Sequence, residues 1–240
     1  SSEEVLGKTK ILNFKIVTKT RNFDNSDITN NDATLLKNDF YRSLEKLKKD
    51  SVYALLMHNA DDLLKPGAEK FFNILQELKK SGKIIKLGVS IYNVDQLESI
   101  LDTFEVDLVQ LPFNILDKRM INSGMFKTLQ NKGIEVHARS VFLQGLLLMS
   151  KKNRPNKFNR WSNLWKTWHQ WLNDNQITAL EASIRYAVSI PAISNVLVGV
   201  ETKDQLEEIE IASDGPMPEI PEELYTNDVD LLNPSNWNRL

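Results

Sequence analysis

The sequence predicts an α/β fold built on parallel strands, on three observations. Six short runs, 14–20, 52–58, 84–90, 108–113, 134–140 and 195–200, are rich in Val, Ile and Leu and apolar on both faces, the pattern of strands covered on both sides. Helical periodicity fills the intervals between them. The alternation of strand and helix is strict, which argues for right-handed crossovers and a barrel of parallel strands.

The helices follow in order. Residues 34–48 place Leu35, Leu36, Phe40, Leu44 and Leu47 on one stripe. Residues 67–80 do the same with Phe71, Ile74, Leu75 and Leu78, and end at Gly82, a natural residue just past a helix. Residues 94–104, 119–131, 176–189 and 203–212 complete the set. Only the fifth strand lacks a helix directly after it. Residues 141–175 read instead as an elaborated loop over the barrel mouth. Within it Phe158, Trp161, Trp165, Trp168 and Trp171 recur at spacings of three and four. Such a stripe is more often core than a lid or substrate wall, at about two to one. The tail from Asp214, with Pro216, Pro218 and Pro221, reads as irregular through residue 240 and free to run back across the barrel.

Composition bounds the function. With 240 residues and 41% hydrophobic content the chain can bury one large core. A net charge of −2 gives no global pull toward nucleic acid or an anionic membrane. The basic runs Lys46-Lys48-Lys49 and Lys151-Lys152-Arg154 read as solvated surface. There is no cysteine, and the histidines at 58, 137 and 169 form no metal cluster in sequence. No apolar run approaches a membrane span, and Ser1-Ser2-Glu3-Glu4 does not read as a signal peptide, so a reducing cytoplasm is the expected location.

Two strands end in residues suited to proton and carbonyl chemistry. Lys19 closes the first run and His58 the second. In a parallel barrel the C-terminal strand ends line the active-site mouth. On position alone, a snorkelling lysine and a structural histidine are equally good readings.

Ordered segments break that tie: Ser2-Glu3-Glu4-Val5-Leu6-Gly7, Val17-Thr18-Lys19, Leu56-Met57-His58, Leu87-Gly88-Val89-Ser90, Val109-Gln110-Leu111-Pro112-Phe113-Asn114, Ser140 to Leu147, and Val198-Gly199-Val200-Glu201 with Gln205 and Glu208. In this order and spacing the chain resembles the aldo-keto reductases, from residue 1 to about 212. That family consists of TIM-type (β/α)8 barrels that pass a hydride between NAD(P)H and a carbonyl. The segment from Arg139 to Gly145 leans toward a branch that handles sugar-derived carbonyls.

The resemblance implies roles. Lys19 matches the lysine that lowers a catalytic tyrosine's pKa, and His58 the histidine that orients the carbonyl. Ser90 and Gln110 match groups that hydrogen-bond the nicotinamide carboxamide. Ser140 matches a pyrophosphate contact, with Leu143 in the same loop, and Gln205 and Glu208 match contacts to the adenosine end. The family's Asp and Tyr belong upstream of the matched segments. The expectation is therefore one barrel domain over residues 1–240 with six of eight strands, its first two strand–helix units absent, and little activity by itself. Ile91 stands where the family usually has an asparagine. Arg139 stands where an aromatic commonly stacks, and its guanidinium plane offers a stacking face. Gly199-Val200-Glu201 lacks the usual cation for the NADP 2′-phosphate, which leans the cofactor toward NAD. The other readings are a non-catalytic dinucleotide-binding or regulatory protein on the same scaffold, and a carbohydrate-binding surface on the tryptophan stripe. The oligomeric state is left open.

Overall fold

A computed structural model describes residues 2–9 and 14–240. The elements run α1 (Ser2–Lys8), β1 (Val17–Lys19), α2 (Asn30–Leu47), β2 (Val52–Met57), α3 (Glu69–Lys80), β3 (Ile84–Ser90), α4 (Val94–Leu101), β4 (Leu108–Pro112), α5 (Arg119–Asn122), α6 (Met125–Asn131), β5 (Glu135–Arg139), α7 (Ser162–Asp174), α8 (Ala179–Val188), β6 (Asn195–Val196), α9 (Lys203–Ala212) and α10 (Val229–Leu232). The six strands are hydrogen-bonded in chain order, β1-β2-β3-β4-β5-β6. The resolved pairings β1–β2, β2–β3, β3–β4 and β5–β6 are all parallel. The α/β class and the parallel strands are as the sequence predicts. By contacts the chain divides into two compact units, one of residues 1–110 with 133–135, the other of 111–132 with 136–240.

In the first unit β2 and β3 are buried along nearly their whole length. Ala54, Leu56 and Leu108 form a core cluster, with Val17 and Tyr53 packed against it. Gly88 sits where strands press together: a Cβ there would lie 2.5 Å from both the Leu108 carbonyl oxygen and Leu56 Cδ2. Any larger residue forces β3 away from a neighbour. Helix α2 starts on a capping box. The Asp32 N–H donates to Thr29 Oγ1 at 3.3 Å, and the Thr29 N–H donates to Asp32 Oδ2 at 2.9 Å. The Thr29 hydroxyl, donating to Oδ2 at 2.6 Å, and then the Thr29 N–H hold the Asp32 carboxyl below its ordinary pKa. Thr29→Ala is expected to cost about 1 kcal/mol, read as a lowered urea midpoint. Helix α3 ends as predicted, with Gly82 at φ 71°.

Three expectations need correction. The run 119–131 is two helices, because Gly124 at φ 72° breaks it. Residues 2–8, for which no helix was expected, form α1; a Cβ on Gly7 would lie 2.0 Å from the Lys46 carbonyl oxygen. The tail is not wholly irregular. It holds helical turns at Glu222–Leu224 and Pro234–Arg239 as well as α10, and Lys157 Nζ bonds the Trp237 carbonyl at 2.7 Å.

Candidate active site

In the first unit, parallel pairing puts the C-terminal ends of β1 to β4 on one side. Lys19 ends β1, His58 follows β2, Ser90 ends β3 and pairs in register with Gln110 of β4. The backbone ladder continues past β1: the Thr20 N–H donates to the Leu56 carbonyl at 2.9 Å. The His58 N–H then donates to Thr20 Oγ1 at 3.1 Å, which fixes the backbone beneath the exposed imidazole.

The decisive contact crosses this group. Lys19 Nζ donates to Gln110 Oε1 at 2.5 Å. On a flat sheet β1 and β4 would lie about 14 Å apart, three spacings of ~4.8 Å. Their side chains meet because the four strands curl. Gln110 is 1% exposed and Ser90 2%, so the ammonium is held against a buried amide. Lys19 therefore turns inward rather than snorkelling outward. Ile91 is fully buried, and its backbone N–H donates to the Gln110 carbonyl at 2.9 Å. Its apolar side chain supplies no hydrogen bond where the resemblance places an asparagine.

In the second unit the loop after β5 is bent sharply. Ser140, Leu143 and Gln144 have φ of 61°, 47° and 54°, and Gly145 follows at 82°. Left-handed non-glycine residues store strain that concentrates at functional sites. The loop is closed internally by the Leu143 N–H bond to the Ser140 carbonyl at 2.8 Å, and Arg139 Nη1 reaches Ser140 Oγ at 3.4 Å. Leu143 is buried. A cavity of about 450 Å³ in this unit is walled by Phe142, Leu148, Leu180, Gly199, Gln205 and Glu208, among others. Three residues matched to cofactor contacts thus share one cavity. Sequence reasoning missed Phe142 as part of its wall; a lone aromatic in an apolar loop carries no signal for that role. The Glu201 N–H donates to Gln205 Oε1 at 2.8 Å, so that carbonyl is already engaged. Lys203 points along its own helix, 2.5 Å from Glu207, and both are largely exposed.

The tryptophans resolve as structure. Trp161, Trp165, Trp168 and Trp171 are each at most 9% exposed. Their indole N–H groups donate to Asp228 Oδ2, Phe158 O, Leu147 O and Glu219 O at 2.9–3.2 Å. With faces buried and donors satisfied, the stripe is neither lid nor carbohydrate platform; it is the core of the second unit.

The sequence profile of the Aldo/keto reductase family matches residues 1–218. The chain belongs to the aldo/keto reductase family. It is 32% identical over 107 residues to the NADH-specific methylglyoxal reductase of Escherichia coli, a match covering 44% of this chain and 32% of that protein. It is 32% identical over 114 residues to the glyoxal reductase of Bacillus subtilis, covering 45% and 38% respectively. The chain thus spans about a third of the length of these curated relatives. Aldo-keto reductase AKR11C1 of Bacillus halodurans is similar in structure, with a TM-score of 0.67 and 18% identity, over 90% of this chain and 73% of that one. That likeness supports the aldo-keto reductase fold. The family match starts at residue 1 and does not bear out the expectation of two absent units. Among the described residues no helix is long and apolar enough to cross a membrane, and no group of three or more His, Cys, Asp or Glu could hold a metal ion.

Proposed function

We propose that this chain carries the cofactor and carbonyl site of an aldo-keto reductase for small aldehydes or ketones, including 2-oxoaldehydes and sugar-derived carbonyls, with NAD preferred over NADP. The observation that carries the reading is the inward-held Lys19 on buried Gln110, with His58 on the adjoining strand end. A bound nicotinamide cofactor would supply the hydride. Lys19 places a positive charge where a carbonyl oxygen gains negative charge, and His58 offers an imidazole to orient that oxygen. Ser90 and Gln110 would meet the carboxamide. With the Gln110 carbonyl committed to Lys19, its amide NH₂ is the part left to donate. Ser140 and Leu143 in the bent loop would approach the pyrophosphate beside Arg139. Gly199, Gln205 and Glu208 would take the adenosine end. The names of the E. coli and B. subtilis relatives support the substrate class.

The cavity residues fit an adenosine without a 2′-phosphate. Among its described lining residues there is a glutamate and neither a lysine nor an arginine. Exposed Glu201 adds like charge nearby, and Lys203 is engaged by Glu207. Titrating NADH and NADPH by fluorescence is expected to give the tighter dissociation constant for NADH. Tighter NADPH binding would reject the preference. The Glu201→Lys variant is expected to narrow the gap by about tenfold.

A further inference from the structure

The basic run at 151–154 is not the solvated surface its sequence implies. Lys151 and Lys152 are exposed, but Arg154 is only 8% exposed. Its guanidinium carbon lies 4.2 Å from the centre of the Trp165 ring, and that indole is fixed by its bond to the Phe158 carbonyl. Nη2 donates to the Met149 carbonyl at 3.1 Å and lies 2.9 Å from His169 Nε2. Burial, with Arg154 adding its charge, holds the His169 pKa below the ordinary histidine value, so the imidazole is neutral and accepts this bond. Nε of Arg154 is buried with no partner. With that nitrogen sealed from solvent the cation is only partly compensated inside the protein, and further compensation has to come at the edge of the guanidinium that lines the neighbouring cavity.

Arg154 lines a cavity of about 420 Å³ together with Lys151, Lys166, His169, Asn163 and Gln170. Two further cations and several amide and hydroxyl donors face the same space, and none of the described lining residues is acidic. The anchor is rigid: stacked on Trp165, and tied on one side to Met149 and His169. We propose that this cavity binds the phosphoryl group of a small phosphorylated ligand, with Arg154 as the central contact and Lys151 and Lys166 as flanking charges. A phosphoryl dianion offers three acceptor oxygens to three cations and their amide neighbours, whereas a carboxylate offers two. The site lies wholly within the second unit and requires none of the carbonyl chemistry proposed for the protein.

The probe is inorganic phosphate, titrated into the 240-residue chain at constant ionic strength. Calorimetry and the arginine guanidinium resonances are followed together, with acetate as the parallel arm. The expected result is saturable phosphate binding that moves the Arg154 guanidinium resonances, with acetate weaker. Arg154→Met is expected to weaken binding about tenfold or more. Because that change also removes the stack on Trp165, the exposed pair Lys151→Gln/Lys166→Gln serves as a second variant. It is expected to weaken binding several-fold while leaving the thermal midpoint in place. Absence of a saturable shift, acetate binding tighter than phosphate, or phosphate binding unchanged in the double lysine variant would each overturn the proposal.

Discussion

The polypeptide of residues 1–240 is expected to bind NADH yet reduce aldehydes roughly 10²–10⁴-fold more slowly than a chain that sets a tyrosine acid beside Lys19, the usual worth of general acid catalysis. Hydride transfer to a carbonyl leaves an alkoxide that must be protonated as it forms. In the mechanism the resemblance implies, that proton comes from a tyrosine with a lysine beside it, and the matched segments that hold Lys19 and His58 contain no tyrosine. Tyr53 lies near the start of β2, five residues before His58, and its hydroxyl donates to Glu135 Oε2 at 2.6 Å. Tyr41 sits on α2 with its ring 6.0 Å from Phe40. Tyr186 is stacked on Phe113 at 5.1 Å, and burial pushes its pKa far up, against ionisation. Tyr225 is occupied by Lys118, 3.4 Å above its ring. Lys19 is no substitute, since its ammonium is already engaged by the buried Gln110 carbonyl. Tyr92 is the tyrosine nearest in sequence to a strand end at the mouth, two residues past β3, which makes Tyr92→Phe the informative control. The assay is NADH oxidation against a panel of aldehydes and sugars. Fast turnover by residues 1–240, abolished by Lys19→Ala or by Tyr92→Phe, would overturn this account of the acid.

What the sequence disclosed follows from which physical signal each part carries. The runs 52–58, 84–90, 108–113 and 134–140 became β2 to β5 with ends shifted by a residue or so, because strands with a neighbour on each side are continuous apolar runs. The runs 14–20 and 195–200 shrank to Val17–Lys19 and Asn195–Val196. Each lies at an end of the strand order and is paired on one side only. Flanking bonds show how little is lost: Tyr53 N–H to Ile16 O at 2.9 Å and Leu197 N–H to Ala138 O at 2.7 Å continue the pairing. The capping box at Thr178 and Glu181, which starts α8, is written in the sequence as Thr-x-x-Glu. Lys19 and His58 were legible as strand-closing residues. The Lys19–Gln110 contact was not, because it depends on curvature accumulated over four strands and no local pattern encodes it. Arg154 was misjudged for a related reason. A cation in a basic run looks solvated unless the distant aromatic that covers it, Trp165, is known to lie there.

Asp62→Ala is expected to be among the most damaging single changes in the first unit, at about 3–5 kcal/mol, the cost of removing one partner from a buried ion pair. Asp62 is fully buried in the helical turn Ala60–Leu63, immediately beyond His58. Its carboxylate accepts three bonds. The Phe23 N–H donates to Oδ2 at 3.1 Å, and Asn59 Nδ2 and Lys65 Nζ donate to Oδ1 at 3.1 and 2.7 Å. Lys65 Nζ also donates to the Phe23 carbonyl, so one ion pair ties the segment after β1 to the segment after β2. The Phe23 ring, 4.5 Å from Phe71, then seals that tie against α3. Alanine leaves a buried N–H and a half-buried ammonium with no carboxylate, and no apolar contact replaces them. Asp62→Asn retains a carbonyl acceptor and loses only the charge, so it is expected to cost roughly half as much. Urea unfolding of the three proteins checks the order, and a loss under about 1 kcal/mol in Asp62→Ala would refute it. The functional readout is separate. Because this turn holds the backbone one residue past His58, the milder Asn variant is expected to stay folded at 25 °C while faster hydrogen exchange appears at residues 20–28 and 58–65, the two loops that frame the candidate carbonyl site.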